Sequence, residues 1–311
     1  QPEVNAETAN LYGVNVHRVY GDLDALLIAE ADKIDVIIIL TPMHDHVHQV
    51  IACISAGVPV ICEKALVASV AEAEAIAEAL ELHQGYLAVT YNYTGYPMLR
   101  ELQQMIKLGV LGKIHQIQIE MPQESFIKLT PDGAEQTPQS WRLIDGSVPT
   151  VSLDLGAHLH AMVQFLTGET PLEVVAISES CGNFSDVEDT VMCLAKYSNN
   201  LLCNMWFTKA ALGYRNGLKV RVFGLSGSAE WVQENPESID LTDSKGHRYK
   251  VDRGSPELQL ANEYRYTRFK AGHPSGFIEA FANYYYDVFE SSHDYFLSGS
   301  TENDESVFGV N

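Results

Sequence analysis

The chain contains 311 residues, of which 46% are hydrophobic and 20% are charged, a composition that is typical of ordinary globular proteins. Its 41 acidic residues outnumber its 20 basic residues and leave a formal net charge of −21. Because nucleic acids and anionic membranes bind clustered lysine and arginine, this charge argues against both as partners. No segment approaches the ~18 consecutive apolar residues of a membrane span, and the length predicts two domains of about 150 residues each.

The cysteines are odd in number, widely spaced and without a Cys-x-x-Cys pair; they are Cys53, Cys62, Cys181, Cys193 and Cys203. This pattern predicts reduced, buried thiols rather than a disulfide framework, and it argues against a structural zinc site. No basic segment followed by an apolar one, the pattern of a secretory leader, opens the sequence. We therefore expect a cytoplasmic protein.

The first half of the sequence alternates between short apolar runs and segments with helical periodicity. Residues 34–40 form a continuous run rich in β-branched side chains, which is typical of a strand buried on both faces. Further strands are predicted at 58–62 and 87–91, and helices at 46–56 and 69–82. Strands that alternate with helices predict parallel pairing through right-handed crossovers, so the fold class is α/β with a doubly wound parallel sheet.

The second half changes character after a predicted domain boundary near residues 92–98. Apolar and polar residues alternate over 113–121, as in a strand with one solvated face, and residues 122–150 lack periodicity, as in a long functional loop. Successive strands without intervening helices then predict an α+β domain with a mostly antiparallel open sheet. The predicted helices are 151–166 and 276–290, and the predicted strands are 172–179, 190–197, 201–208, 218–224 and 228–233.

The first candidate functional residue is Lys64, which follows the predicted strand at 58–62 through Glu63. Doubly wound α/β folds bind ligands at the carboxyl ends of their parallel strands, so a lysine at this position is well placed for an active site. From its position alone, a solvated loop lysine explains Lys64 equally well.

A second candidate is the pair Asp154 and His158, four residues apart at the start of a predicted helix. Residues at this spacing share one helix face, and histidine is suited to accept a proton near neutral pH. A helix-terminal aspartate with a core histidine explains the pair equally well, and His160 leaves open which histidine points inward. Gly156 is a poor helix former, and a close approach of a backbone or a ligand would explain it.

Two loop segments complete the candidates. Residues 41–46 (TPMHDH) follow the first strand, and their two histidines and aspartate could suggest a metal site. We expect no metal, because a ligand-binding loop at the end of a strand explains the segment without one. Trp141 and Arg142 lie in the long loop, where an arginine beside an aromatic ring can hold a phosphate or a carboxamide, and a plain surface pair is equally expected.

In this order, these features resemble the Gfo/Idh/MocA oxidoreductases, which are named for glucose–fructose oxidoreductase, inositol dehydrogenase and a rhizopine-catabolism protein. The resemblance runs over nearly the whole chain. Thr41-Pro42-Met43 is similar to the family's Thr-Pro-Asn segment, Glu63-Lys64-Ala65 to its Glu-Lys-Pro motif, and Asp154 to His158 to its Asp-x-x-x-His motif. Segments similar to one bacterial branch are 92–97 (NYTGYP), 141–142 (WR), 221–230, 273–277 (HPSGF) and 279–283 (EAFAN).

The resemblance implies two domains and an activity. Residues 1–95 would form a dinucleotide-binding Rossmann domain that is N-terminally incomplete, and residues 96–311 an α+β domain for substrate binding and oligomerisation. The implied activity is that of an NAD- or NADP-dependent dehydrogenase. It transfers a hydride between the nicotinamide and a hydroxyl-bearing carbon of a sugar, a sugar derivative or a cyclitol. The resemblance also implies a homodimer or a homotetramer.

By the same resemblance, His158 is the general base, Lys64 stabilises negative charge on the substrate oxygen, and Asp154 binds a neighbouring hydroxyl. Tyr93 and Tyr96 would offer hydroxyl groups to a polyol, although packing explains both tyrosines equally well. The expected cofactor side consists of Thr41, Pro42, His46, Glu63, Lys64, Asn92, Trp141 and Arg142.

The sequence departs from the family pattern at three places. Ala65 stands where the family has proline, Met43 where it usually has asparagine, and no Gly-x-Gly-x-x-Gly turn precedes residue 34. In the family that turn brings backbone N–H groups to the cofactor pyrophosphate at a helix N-terminus.

Three alternatives stay open on the sequence alone. The enzyme could keep its nicotinamide tightly bound and perform a redox-neutral reaction, such as glycoside cleavage or hydride exchange between sugars. The protein could instead be a non-catalytic sugar-binding or regulatory relative, or a structural subunit that only oligomerises. The presence of Lys64, Asp154 and His158 together argues against a non-catalytic role.

Overall fold

The computed structural model describes residues 2–299, which fall into two compact units. The first unit contains residues 2–90 and 288–299, and the second runs from Tyr91 to Asp287. Residue 1 and residues 300–311, which belong to the predicted domains, lie outside the described residues. The division at Tyr91 is close to the predicted boundary after residue 95, whereas the membership of residues 288–299 in the first unit was not predicted.

The first unit contains a parallel sheet with the strand order β1-β2-β3, as the alternating pattern predicted. Its strands are β1 (Ile37–Ile39), β2 (Val60–Glu63) and β3 (Leu87–Thr90). Its helices are α1 (Pro2–Leu11), α2 (Leu23–Glu30), α3 (His46–Ser55) and α4 (Val70–His83). β1 is shorter than the predicted strand at 34–40.

Local sequence explains where these helices begin. The side chain of Asp22 accepts a hydrogen bond from the backbone N–H of Ala25 and caps α2. Ser69 caps α4 by accepting from the N–H of Glu72, whose carboxylate in turn accepts from the N–H of Ala68. These caps satisfy N–H groups that a helix leaves without partners in its first turn.

The second unit is built on an eight-stranded sheet with the order β11-β10-β9-β8-β4-β7-β6-β5. All neighbouring strands in it are antiparallel except β4 and β7. The strands are β4 (Ile114–Pro122), β5 (Pro171–Glu179), β6 (Thr190–Tyr197), β7 (Leu202–Thr208), β8 (Lys219–Gly224), β9 (Gly227–Val232), β10 (Ser238–Asp243) and β11 (Arg248–Asp252). The predicted combination of a parallel Rossmann-type sheet with a mostly antiparallel sheet is therefore confirmed.

Three helices accompany this sheet in the chain: α5 (Pro97–Lys107), α6 (Ala157–Thr167) and α7 (Phe277–Ser298). α5 contacts β9 and β10, and α6 contacts β4. The last part of α7 belongs to the first unit, where the Tyr86 hydroxyl donates to the carbonyl oxygen of Val288 at 3.0 Å.

In the second unit, three elements were not predicted: α5, β10 and β11. Adjacent charged residues in a helix usually indicate a solvated face. On α5, however, Arg100 and Glu101 are 5% and 0% exposed. Glu101 instead accepts hydrogen bonds from three consecutive backbone N–H groups at residues 259–261. β10 and β11 alternate polar and apolar residues (SIDLTD and RYKVD), a strand pattern that is short and was overlooked in the sequence.

One face of the large sheet is open. Met192, Leu194 and Leu202 lie on it and are 60%, 61% and 57% exposed. Two grooves of about 520 Å³ and 350 Å³ lie on this open face, and neither is lined by a residue that the sequence predicted as functional. Within residues 2–299, no helix combines the length and the apolar composition needed to cross a membrane.

Candidate active site

In the first unit, His46 connects the segments that follow β1 and β2. Its ring is 1% exposed; Nε2 lies 2.8 Å from the carbonyl oxygen of Thr41, and Nδ1 lies 3.0 Å from that of Ala65. The sequence predicted that His46 lines the cofactor side. The structure corrects this, because a ring that is buried with both nitrogens on carbonyl groups holds two loops in position rather than facing a ligand.

Glu63 and Lys64 stand at the carboxyl end of β2, as predicted. Glu63 is half-buried, and burial raises the pKa of its carboxyl group above the usual value, although a hydrogen bond from the backbone of Lys64 opposes the shift. The peptide bond between Lys64 and Ala65 is cis. The neighbouring loop exposes Thr41 and Pro42, and the Thr41 hydroxyl donates to Gln49 Oε1 at 2.6 Å.

In the second unit, Asp154 lies in a π-helical turn, Ser152–Gly156, which leads directly into α6. Such wide turns occur frequently at functional sites. The prediction that Asp154 and His158 share a face assumed a regular α-helix, and the wider turn removes that premise. A Cβ atom on Gly156 would lie 2.9 Å from Cζ of Phe207, so a side chain of β7 explains this glycine rather than a backbone or a ligand.

The Asp154 carboxylate is held by two cations. Its Oδ2 atom lies 2.6 Å from Nη1 of Arg142 and 2.6 Å from Nζ of Lys209. The side chains of Asp154 and Lys209 are 7% and 1% exposed, whereas that of Arg142 is 29% exposed. Arg142 was predicted on the cofactor side, and the structure places it on the carboxylate predicted to bind substrate. Its guanidinium group lies 4.6 Å from the centre of the Trp141 ring.

Lys209 was missed by the sequence analysis. It follows β7 as a single lysine, with no second polar residue at motif spacing to mark it. One signal was available: Lys209 is the single charged residue in the run WFTKAAL. A lysine among apolar residues is buried only when it is paired, so this position predicts an acidic partner.

His158 is the histidine that points inward. It is 6% exposed, whereas His160 is exposed and lies 3.3 Å from the Tyr197 hydroxyl. The rings of Tyr91 and Tyr93 meet the His158 imidazole edge-on, at centroid distances of 5.8 Å and 4.7 Å. These contacts fix the plane of a ring that was predicted to act as a base.

The two predicted substrate tyrosines differ in their surroundings. The Tyr93 hydroxyl accepts a hydrogen bond from Nδ2 of Asn216 at 3.0 Å, and burial raises the pKa of Tyr93 to about 12, with the charge of Asp154 adding to the shift. Tyr96 is 2% exposed, packs on Trp231 and accepts a hydrogen bond from Gln233. The structure therefore assigns Tyr96 to packing and keeps Tyr93 beside His158.

The side chain of Asn92 has a buried amide group that is suited to bind a cofactor. It is 4% exposed, and its Nδ2 atom has no hydrogen-bond partner among the described residues. A buried amide donor without a partner costs free energy unless a ligand satisfies it, and a carboxamide or phosphate oxygen would do so. In the first unit, the Glu63 carboxylate can accept from a ribose hydroxyl, so each of these side chains by itself fits a nicotinamide dinucleotide.

Among residues 2–299, no three or more histidine, cysteine, aspartate or glutamate side chains are grouped so as to hold a metal ion. In segment 41–46, the His44 imidazole lies 3.6 Å from the Asp45 carboxylate, and the ring nitrogens of His46 contact carbonyl oxygens.

Two family models match the chain. The oxidoreductase family with the NAD-binding Rossmann fold matches residues 2–91, and the GFO/IDH/MocA C-terminal domain matches residues 99–230. The chain belongs to the Gfo/Idh/MocA family. The resemblance found in the sequence is confirmed, and with it an oxidoreductase whose Rossmann domain binds NAD.

Curated relatives of this Gfo/Idh/MocA protein include named dehydrogenases. The uncharacterized oxidoreductase YfiI of Bacillus subtilis is 28% identical over 91% of this chain and 74% of its own length. Levoglucosan dehydrogenase of Pseudarthrobacter phenanthrenivorans is 25% identical over 79% of this chain and 68% of its own length. Myo-inositol 2-dehydrogenase of Thermotoga maritima is 26% identical, with the same two coverages of 79% and 68%.

Solved structures agree with the family assignment. An inositol dehydrogenase homolog from Azotobacter vinelandii, complexed with NADH and myo-inositol, has a TM-score of 0.84 at 26% identity and covers 97% of this chain and 77% of its own. An oxidoreductase from Sinorhizobium meliloti has a TM-score of 0.83 at 27% identity and covers 99% and 81%.

Proposed function

We propose that this Gfo/Idh/MocA protein oxidises a hydroxyl-bearing carbon of a cyclic polyol, either a sugar, a sugar derivative or a cyclitol, with NAD or NADP as the acceptor. The observation that carries the proposal is the Asp154 carboxylate, held by Lys209 and Arg142 on the turn that leads to the buried His158. Support for the substrate class comes from relatives named as myo-inositol and levoglucosan dehydrogenases.

Three residues are assigned to the chemistry. When bound, the nicotinamide supplies the acceptor for the hydride, so the protein must manage the hydroxyl proton. His158 takes this proton as general base, and in the reverse direction it returns it. Lys64 hydrogen-bonds the same substrate oxygen and stabilises its developing negative charge, while Asp154 accepts from a neighbouring hydroxyl and orients the ring. The Tyr93 ring packs edge-on against the His158 imidazole.

The cofactor contacts are proposed for a smaller set than the sequence suggested. Asn92 would donate its unpartnered amide N–H, and Glu63 would accept from a ribose hydroxyl. His46 contributes by holding the loops that carry Thr41 and Ala65. The remaining proposed contacts are Pro42, Lys64 and Trp141.

We also propose that copies of the chain associate through the open sheet face into a homodimer or a homotetramer. Exposed Met192, Leu194 and Leu202 form an apolar surface there, and a contiguous surface of this kind on a soluble protein marks an interaction site. A cytoplasmic location is proposed because the described cysteines are all free, and three of them are buried; these are Cys53, Cys62 and Cys203.

The test is a turnover screen with full-length protein that follows nicotinamide absorbance. NAD and NADP are each offered with myo-inositol, levoglucosan, D-xylose, D-glucose and D-gluconate. We expect reduction of one cofactor by at least one of these polyols. Cofactor that stays bound through dialysis without net reduction would favour a redox-neutral reaction, and absence of binding to either cofactor would exclude the enzyme hypothesis.

A further inference from the structure

We propose that Lys209 is a positioning residue, whose buried ammonium group holds the Asp154 carboxylate ionised and oriented at the π-helical turn. The inference rests on the proposed function, because it gives Lys209 a role only through Asp154. None of the family motifs given above includes this lysine.

Burial makes Lys209 the stronger of the two cations on Asp154. Both cations lie 2.6 Å from the same oxygen, Oδ2, yet the Lys209 side chain is 1% exposed and that of Arg142 is 29% exposed. Water screens a charge pair less when both partners are buried, so Lys209 dominates the field at the carboxylate. A carboxylate as buried as Asp154 is costly unless it is paired in this way.

The backbone of Lys209 is anchored on both sides, which fixes where its ammonium group can reach. Its N–H donates to the carbonyl oxygen of Asp189 at 2.8 Å, and its carbonyl oxygen accepts from the N–H of Phe126 at 2.8 Å. The ammonium group also lies 5.5 Å from the centre of the Phe126 ring. Lys209 therefore joins the end of β7, the start of the long loop and the segment before β6 to the turn that carries Asp154.

The charged and titratable groups around Asp154 define what removal of Lys209 would do. Arg142 faces it from the long loop, Lys209 from the end of β7, and the Tyr93 phenol from the turn after β3. Without Lys209, Asp154 would lose its more buried cation and keep the partly solvated guanidinium group of Arg142. An acid that loses a neighbouring cation ionises at higher pH, so the active ionised form would be lost at a pH where the natural protein keeps it.

The experiment compares Lys209→Met with the natural protein in kcat, KM and the pH profile of kcat/KM. The substrate is myo-inositol; levoglucosan replaces it if the natural protein turns over levoglucosan but not myo-inositol. We expect kcat to fall by about 10-fold or more, the KM for NAD to stay unchanged, and the acid limb of the profile to move up by about 1 to 3 pH units. Lys196→Met is the matched control, since Lys196 is 45% exposed and pairs with Glu173 at the sheet surface. A natural kcat together with an unmoved acid limb in Lys209→Met would overturn the inference, since the base His158 also contributes to that limb.

Asp154→Asn separates this inference from the proposed function. If Asp154→Asn keeps normal turnover, the role assigned to Asp154 fails, and the inference fails with it. If Asp154→Asn loses turnover while Lys209→Met keeps the natural rate and profile, only the inference fails. In the Asp154→Asn background, we expect Lys209→Met to change residual turnover by less than about 2-fold, because no carboxylate is left to position.

Folding is controlled by two further variants and by a measurement that needs no substrate. Lys209→Arg keeps the charge and should keep the natural acid limb even if kcat falls; a limb shifted as far as in Lys209→Met would contradict the proposal. The double variant Lys209→Met/Asp154→Asn leaves no unpaired buried charge and should fold. The Tm deficit of Lys209→Met should fade on acidification, as Asp154 becomes protonated, and a deficit that is independent of pH would indicate a purely structural lysine.

Discussion

The two units hold their candidate functional residues in place by different means. In the first unit, the imidazole of His46 lies between two backbone carbonyl groups, and a neutral ring can donate a hydrogen bond to only one of them. In the second, three formal charges from distant segments meet at Asp154. A neutral hydrogen bond contributes about 1 kcal/mol net, whereas removing one partner of a buried ion pair costs about 3–5 kcal/mol, so the second unit should be far more sensitive to single substitutions.

The largest expected effect is that of His158→Ala on turnover. Loss of a general base typically costs about 100-fold or more in rate, and His158 is the buried histidine that the tyrosine rings hold. Steady-state kinetics with the polyol found in the screen would measure kcat and KM. The KM for NAD should change little, because the proposed role concerns the substrate proton alone.

His160→Ala is the matched control for this variant, since His160 lies on the same helix two residues further along and is exposed. We expect its kcat to remain within about 2-fold of the natural value, as for most surface changes. A near-normal rate in His158→Ala would remove this residue from the role of base. Equal losses in both variants would instead indicate a general disturbance of α6.

The next effect, of intermediate size, is expected for His46→Ala in the first unit. The substitution removes two contacts to carbonyl groups and leaves a small cavity, so we expect the free energy of unfolding to fall by about 1–3 kcal/mol. Affinity for NAD should weaken several-fold because the loops after β1 and β2 lose their link. Denaturant unfolding and cofactor titration would measure both quantities.

His48→Ala, on the exposed side of the same helix, should change the free energy of unfolding by less than about 0.5 kcal/mol. The comparison between the units predicts that His46→Ala lowers kcat less than Lys209→Met does. If His46→Ala lowered kcat by as much, the distinction between hydrogen-bonded and charge-held segments would be wrong.

Separation along the chain explains which parts of the molecule could be predicted from the sequence. The parallel sheet, α3 and α4 follow from local periodicity and caps such as Ser69, and the position of Lys64 after β2 follows from strand order. Features that depend on residues far apart in the chain were not accessible in this way. Lys209 reaches Asp154 across 55 positions, and the burial of Glu101 depends on residues 259–261.

Local conformation also limited the prediction of the site. The spacing of Asp154 and His158 was interpreted as helical, and the π-helical turn changes which residues lie on one face. Arg142 was assigned to the cofactor side by the family resemblance, and the long loop has no periodicity from which the direction of its side chain could be inferred. Its contact with Asp154 is set by tertiary packing that a single sequence does not encode locally.

The smallest expected effect, and the one that sharpens the comparison most, is that of Glu63→Gln. Burial raises the pKa of the Glu63 carboxyl group, so its charged form is penalised in the folded protein. The favourable protonated state is fully present below the unfolded pKa of about 4.3 and is lost as pH rises through the raised folded value. At neutral pH, glutamine therefore removes a penalty, and we expect a slightly higher Tm.

This gain should disappear in acid, where the natural Glu63 is itself protonated, and Glu78→Gln on the exposed side of α4 should show no gain at either pH. Affinity for NAD should fall several-fold in Glu63→Gln, because an amide is a weaker acceptor for a ribose hydroxyl than a carboxylate. A higher Tm with unchanged affinity would mean that Glu63 is buried without contacting the cofactor. A lower Tm would mean that this carboxylate is held by a charge partner, so that the first unit relies on ion pairs as the second does.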